Sequence, residues 1–179
     1  MKRNALLAQL ETYKPEVGNE EQMHRDTIVF VKENPDCFER TLLIGHVTAS
    51  GWVLSGDKSA VLLMHHRKLD RWFQPGGHCD GDPNVKEVAR KEVIEETGIR
   101  NLNLLLDGIF DIDIHLIPEN KEFPAHYHYD IRFAFQMVDQ QEILINSESK
   151  DVKWVPLGEV ENLNNSESIM RMVRKTTFL

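Results

Sequence analysis

The spacing of apolar positions changes rhythm near residue 42. Before it, Leu6, Leu7 and Leu10, and then Met23, Thr27, Phe30 and Val31, recur at helical intervals. This predicts one helix over residues 4–13, stopped by Pro15. A second would begin with Asn19 as cap and Gln22 three positions on, and end near Pro35. From His46 onward the pattern alternates. Residues 46–54 and 59–66 read as strands joined by a Ser55-Gly56-Asp57 turn. A glycine-rich loop, residues 74–84, leads into a helix over residues 84–97 that Gly98 would close. Phe110, Ile112, Ile114 and Leu116 alternate with Asp111, Asp113 and His115. Residues 126–138 alternate again, and residues 118–124 would join the two as a hairpin. A short strand over 151–156 and a helix over 166–175 complete the chain. Strands around one acidic helix, with more helices at the ends, predict an α/β sandwich over residues 42–179 behind a helical extension over residues 1–41.

Composition narrows the classes. The chain has 179 residues, 41% hydrophobic and 28% charged, with a formal net charge of −8. That apolar fraction supports a core and excludes a disordered or collagen-like chain. The negative balance argues against a sequence-independent grip on nucleic-acid polymers, which requires basic residues. The apolar runs are too short to span a bilayer, no secretory apolar segment is read at the amino end, and Cys37 and Cys79 make no disulfide framework. A reducing cytoplasm is the expected location.

The acidic helix carries the informative chemistry. With Val85 as zero and about 100° per residue, Val88, Ala89 and Val93 form an apolar stripe from about −60° to +80°. Glu92 falls near about −20°, Glu96 near +20° and Glu95 near −80° on the same wheel. Three carboxylates therefore sit in or beside the stripe that should face inward. Such a group costs free energy or is driven neutral unless something compensates. A hard divalent cation such as Mg²⁺ does so, because it prefers oxygen ligands. The competing reading is a solvated charged face. Upstream, Gly76-Gly77 permits close backbone approach and offers a neutral carbonyl oxygen. Asp82-Pro83, and Asn84 with Glu87 three residues on, are helix-start signals.

Residues 77–99, GHCDGDPNVKEVARKEVIEETGI, resemble the Nudix box. Gly77, Glu92, Val93, Glu95, Glu96, Gly98 and Ile99 match its pattern in register, and the flanking strands extend the resemblance over about residues 42–176. Two positions depart from it: the box arginine is Lys91, and its first glutamate falls on Pro83, where Asp80 or Asp82 could substitute after a local shift. The resemblance implies a Nudix-like α/β/α sandwich with a mixed sheet. It also implies hydrolysis of a pyrophosphate linkage in a nucleoside diphosphate joined to another moiety, with Mg²⁺ or Mn²⁺ as cofactor. By position, the Gly76 carbonyl, Glu92 and Glu96 would be metal ligands, and Glu95 would hold a further ion or activate water. Water activation could instead fall to Glu96, or to Glu148 in the loop before the last strand.

Trp72, His78, Arg67 and Arg132 are the candidate substrate contacts. Three of them have an ordinary structural alternative: rim packing for Trp72, a solvated strand end for Arg67, and for Arg132 a cross-strand polar ladder with His126, His128, Asp130, Asp111, Asp113 and His115. A second, transition-metal site among these histidines is the remaining reading of the ladder. Cys79 lies near the glycine loop without a histidine–acid constellation around it. Two other functions fit the same fold: an isopentenyl-diphosphate-isomerase-like enzyme, and a non-catalytic nucleotide sensor that Lys91 and Pro83 would explain. The expected partner is a small-molecule nucleoside diphosphate derivative, with no membrane. The helical extension could cover a homodimer interface or cap the sheet.

Overall fold

The computed structural model describes residues 2–121, 123–145, 147 and 149–179. The extension forms α1 (Asn4–Thr12) and α2 (Asn19–Glu33). Leu6 and Leu10 of α1 are buried with Phe30 and Val31 of α2, as their spacing predicts. The start of α2 differs from the capping-box expectation. Gly18 occupies the cap position at φ +117°, a conformation glycine adopts readily, and Asn19 is already helical. Gln22 bonds Asp26 and Arg25 along the helix instead of turning back to the cap.

Among the described residues eight strands follow, with the acidic helix between the fourth and fifth. They are β1 (Gly45–Leu54), β2 (Ala60–His66), β3 (Arg71–Phe73), β4 (Gly76–His78), then α3 (Val85–Thr97), β5 (Leu102–Leu104), β6 (Asp111–Ile117), β7 (His126–Met137) and β8 (Ser149–Pro156). Two helices close the chain, α4 (Val160–Leu163) and α5 (Glu167–Thr176). The sheet runs β3-β2-β1-β7-β5, with β4 added to β1, β6 to β7 and β8 to β2. It therefore forks. β1 and β7 are parallel over ten register pairs and every other pairing is antiparallel, so the sheet is mixed. The strands β3, β4 and β5 were not predicted; three residues are too few for periodicity to register.

Alternation along β1 distributes its side chains between two layers. Val47, Ala49 and Val53 join Ile131, Phe133 and Phe135 of β7 in a core that also takes Val85, Val88, Ala89 and Val93 of α3, with Leu6, Leu10, Phe30 and Val31 of the extension. Trp52 and Leu54 face the other way, with Ala134, Val160, Ile169 and Met172. Helices thus cover both faces, giving an α/β/α sandwich. Gly51 lets α3 lie close: a Cβ there would come within 2.4 Å of Val93 Cγ2.

The polar ladder of β6 and β7 exists, but it is buried rather than solvated. Arg132 is 3% exposed, and its guanidinium meets Asp130 at 2.8 Å and Asp111 at 3.0 Å. Arg171 of α5 meets Asp111 at 2.8 Å and Asp113 at 3.3 Å. Lys175 spans Asp111 at 2.7 Å and the buried Glu20 of α2 at 2.5 Å. Burial pushes the Asp111 carboxyl up, but the Arg171 hydrogen bonds and the Arg132 and Lys175 charges outweigh it and hold it below the usual range. Arg132, expected as a substrate contact, is enclosed by these ion pairs. Its alternating neighbours make it the buried counter-ion of three aspartates.

Candidate active site

The double-glycine segment is held between a strand and a helix. β4 pairs antiparallel to β1, with Gly76 opposite Ser50 and His78 opposite Thr48. A Cβ on Gly76 would lie 2.4 Å from Ser50 Cβ, and one on Gly77 would lie 2.6 Å from the Glu92 carboxyl carbon. Both glycines therefore exist for space, since neither is among the positive-φ residues. Glu96, 8% exposed, accepts a hydrogen bond from the Gly76 amide at 2.9 Å. Two of the three helix carboxylates thus meet the glycine strand. Glu95 does not: it is exposed on the next flank and pairs loosely with Lys91 at 3.7 Å.

The ends of α3 follow from local chemistry. Gly98 takes the left-handed conformation at φ 77° and closes the helix, as predicted. Asn84 stands at the cap position without a side-chain capping bond; its own amide donates to Asp82 Oδ1 at 2.9 Å. Asp82 is thereby used in the turn. Asp80 is paired with Arg40, whose guanidinium also feels the Glu92 charge. Lys91 points to Glu95, so the one cation near Glu92 and Asp80 that these interactions identify comes from the extension. The glycine-box pattern gives no signal for it.

The other expected contacts are dispersed. Trp72 is half-buried, with the His65 ring stacked on it at 5.0 Å and Lys153 Nζ 4.4 Å from its ring centre. Arg67 is exposed and donates to the Ser147 and Ser149 carbonyls, both at 3.0 Å, across the loop before β8. Glu148 lies outside the described residues. Trp52 is fully buried, its indole donating to Thr176 Oγ1 at 2.8 Å. Cys79 is 4% exposed, and burial with nearby aspartates pushes its thiol far above the usual range. A reactive cysteine, as the isomerase-like reading requires, is not supplied here. A cavity of about 440 Å³ between Tyr13, Phe110, Lys175 and Leu179 includes none of the α3 carboxylates.

His78 is near the glycine strand but faces a group that sequence reasoning did not assemble. Ring centroids of His46 and His78 are 5.0 Å apart, and those of His46 and His128 are 4.8 Å apart. His46 is 2% exposed, and its two ring nitrogens have only the Leu42 backbone as a partner between them; Nε2 of His128 has none. Burial, with His78 and His126 nearby, lowers the His46 pKa to about 4, so the ring is neutral at pH 7. Alternation put His126 and His128 on one face. The parallel register that adds His46 opposite His128 joins residues 82 positions apart, and local pattern cannot show it.

A forked mixed sheet between two helical layers, with glutamates of one helix under a double-glycine strand, defines the class of domain. The chain belongs to the Nudix family: the model of the NUDIX domain matches residues 45–175. It is similar to the putative mutator protein MutT4 of Mycobacterium tuberculosis (strain CDC 1551 / Oshkosh), 26% identical over 125 residues that cover 64% of this chain and 48% of that protein. It is also similar to the uncharacterized Nudix hydrolase YvcI of Bacillus subtilis (strain 168), 28% identical over 115 residues covering 62% of this chain and 66% of that protein. The matches thus span about half to two thirds of these relatives. Among solved structures, the C. elegans Ap4A hydrolase binary complex has a TM-score of 0.60 at 17% identity, covering 73% of this chain and 94% of that one. The NUDIX domain of Shewanella oneidensis NrtR complexed with ADP ribose has a TM-score of 0.55 at 16% identity, covering 85% and 96%. At those identities the likeness concerns the fold. Among the described residues, no helix is long and apolar enough to cross a membrane.

Proposed function

We propose that the chain hydrolyses a pyrophosphate linkage in a nucleoside diphosphate joined to another moiety, using Mg²⁺ or Mn²⁺. The observation that carries this reading is the pair Glu92 and Glu96, packed against the Gly76-Gly77 strand with Glu96 on the Gly76 amide at 2.9 Å. The donor set fits a hard cation: two carboxylates four residues apart on one helix, with the Gly76 carbonyl as the neutral oxygen that the resemblance implies. Glu92, Glu96 and the Gly76 carbonyl would hold it. Such an ion, when bound, neutralises phosphate oxygens and acidifies water. Glu95, exposed and held only loosely by Lys91, takes the proton from the attacking water; Glu148 is the alternative base. The water oxygen bonds to one phosphorus, the bridging P–O bond breaks, and the leaving phosphate carries away the electron pair.

Ap4A and ADP ribose, named with the structural neighbours, motivate testing dinucleotides and nucleoside diphosphate sugars together. The experiment is phosphate and nucleotide release over such a panel in Mg²⁺ or Mn²⁺, for the wild type and Glu96→Gln. Glutamine keeps an acceptor for the Gly76 amide, so the fold should persist while turnover falls by about 10³-fold on loss of a charged ligand. Near-wild-type turnover in Glu96→Gln overturns the reading. Comparing Glu95→Gln with Glu148→Gln identifies the base. A thermal shift with ADP ribose but no hydrolysis in either metal would favour the sensor, the reading that the Lys91–Glu95 pair and Pro83 support.

A further inference from the structure

One ring nitrogen from each of His46, His78 and His128 lies within 4.8 Å of the others. They come from β1, β4 and β7, joined by pairing of His46 with His128 and of His78 with Thr48. The buried Nε2 of His128 has no hydrogen-bond partner, and the two buried ring nitrogens of His46 have only the Leu42 backbone between them, so at least one is left over. Buried polar atoms are almost always satisfied, so this concentration at one point calls for a ligand. His126 adjoins the group, its ring 5.1 Å from that of His46. Its Nδ1 lies 2.8 Å from the Pro124 carbonyl, which only accepts, so Nδ1 is the donor of that bond.

We infer that His46, His78 and His128 form a binding site for a divalent transition-metal ion of the zinc class, separate from the carboxylates of α3. Imidazole nitrogens suit Zn²⁺, Cu²⁺, Ni²⁺ or Fe²⁺, whereas Mg²⁺ selects oxygen. Three nitrogens at about 2.0–2.1 Å from zinc stand ~3.3 Å apart, so small side-chain rotations of about an ångström close the present spacing. His126 Nε2 or a water takes the fourth position. The site would tie β4, which carries Gly76-Gly77, to β1 and β7.

The test uses the full chain, stripped with chelator, titrated with Zn²⁺ by calorimetry and assayed for metal after desalting. One retained equivalent of Zn²⁺ is expected, undisplaced by excess Mg²⁺ and preserved in the Glu92→Gln/Glu96→Gln double variant. His46→Gln and His128→Gln should weaken it by about 10–100-fold or more, with circular dichroism reporting their folding. Should either variant unfold, the visible spectrum of Co²⁺-loaded wild type decides: a strong four-coordinate band supports the site, and a weak six-coordinate oxygen spectrum overturns it. No retained equivalent, or one lost in the glutamate variant and kept in the histidine variants, also overturns it. The outcome is independent of whether the chain hydrolyses pyrophosphates.

Discussion

At the scale of single residues, the two adjacent glycines make separable demands. An alanine methyl at position 77 would meet the carboxyl end of Glu92, a flexible tip that can swing away; at position 76 it would meet Ser50 Cα and the Ala49 carbonyl at 2.8 Å, which cannot. Gly77→Ala should therefore leave thermal stability nearly unchanged while displacing Glu92 and lowering metal-dependent phosphate release by about 10–100-fold. Gly76→Ala should cost about 1–3 kcal/mol of stability, because backbone must move. Denaturant unfolding of both variants beside their turnover checks the contrast; equal stability losses would show that the glycines serve packing alone. That Gly77, Glu92 and Glu96 lie together was legible in sequence because one helix turn and one loop contain them. That Glu95 faces solvent was less so: its angle on the wheel lies at the margin of the stripe, and only the packing of α3 against β1 decides which margin is covered. Glu20, buried at 1% and bonded to Lys175, was illegible, since its partner is 155 residues away.

At the scale of elements, β6, β7 and α5 are joined by charge as much as by apolar contact. Asp111 is fully buried and faces Arg132, Arg171 and Lys175. Removing it takes the shared anion from three buried cations, which keep Asp113, Asp130 and Glu20, so Asp111→Ala should lose about 3–5 kcal/mol in denaturant unfolding, the usual cost of breaking a buried ionic group. A loss under about 1 kcal/mol, the scale of a surface pair, would show that water screens the network. The same network sets an acid limb. Burial raises the Asp113 carboxyl, but Arg132 and the His115 hydrogen bond dominate and hold it well below its usual range, as the arginines and Lys175 do for Asp111. Folded-state values below the unfolded ~3.9 mean that the unfolded chain binds more protons at acid pH. The contribution is complete above about pH 4–5 and falls as pH drops toward the depressed values. Asp113→Asn should therefore flatten the stability profile below about pH 4 without altering its shape near neutrality. Periodicity revealed the alternation of these acids but not their burial, because a polar face reads the same whether water or an arginine-bearing helix covers it.

At the scale of the whole molecule, the boundary between extension and domain is a change in sequence rhythm, not a break in packing. Phe30 stacks on Tyr129 of β7 at 3.8 Å, and Val31, Cys37 and Phe38 are buried in the same core as Val47 and Ile131. Glu20 receives Lys175 of α5, the Ile112 amide at 3.1 Å and the Glu16 amide at 2.6 Å, so α2 clamps β6 to the last helix. Arg40 extends the same dependence to the loop before α3 through Asp80. Of the two uses foreseen for the extension, this packing supports a cap on the sheet. Removal would expose an apolar face and take Glu20 and Tyr13 from Lys175, two of the recognised routes to large destabilisation. A chain of residues 42–179 should therefore be recovered aggregated or as a loosely packed species that binds a hydrophobic dye, while the full chain unfolds in one cooperative step. Arg40→Ala in the full chain should leave that cooperative step in place and lower phosphate release, because it loosens the Asp80 loop and not the core. A truncated chain with the full chain's melting transition would show instead that the extension is an appended element, and would leave its purpose to be sought in another surface.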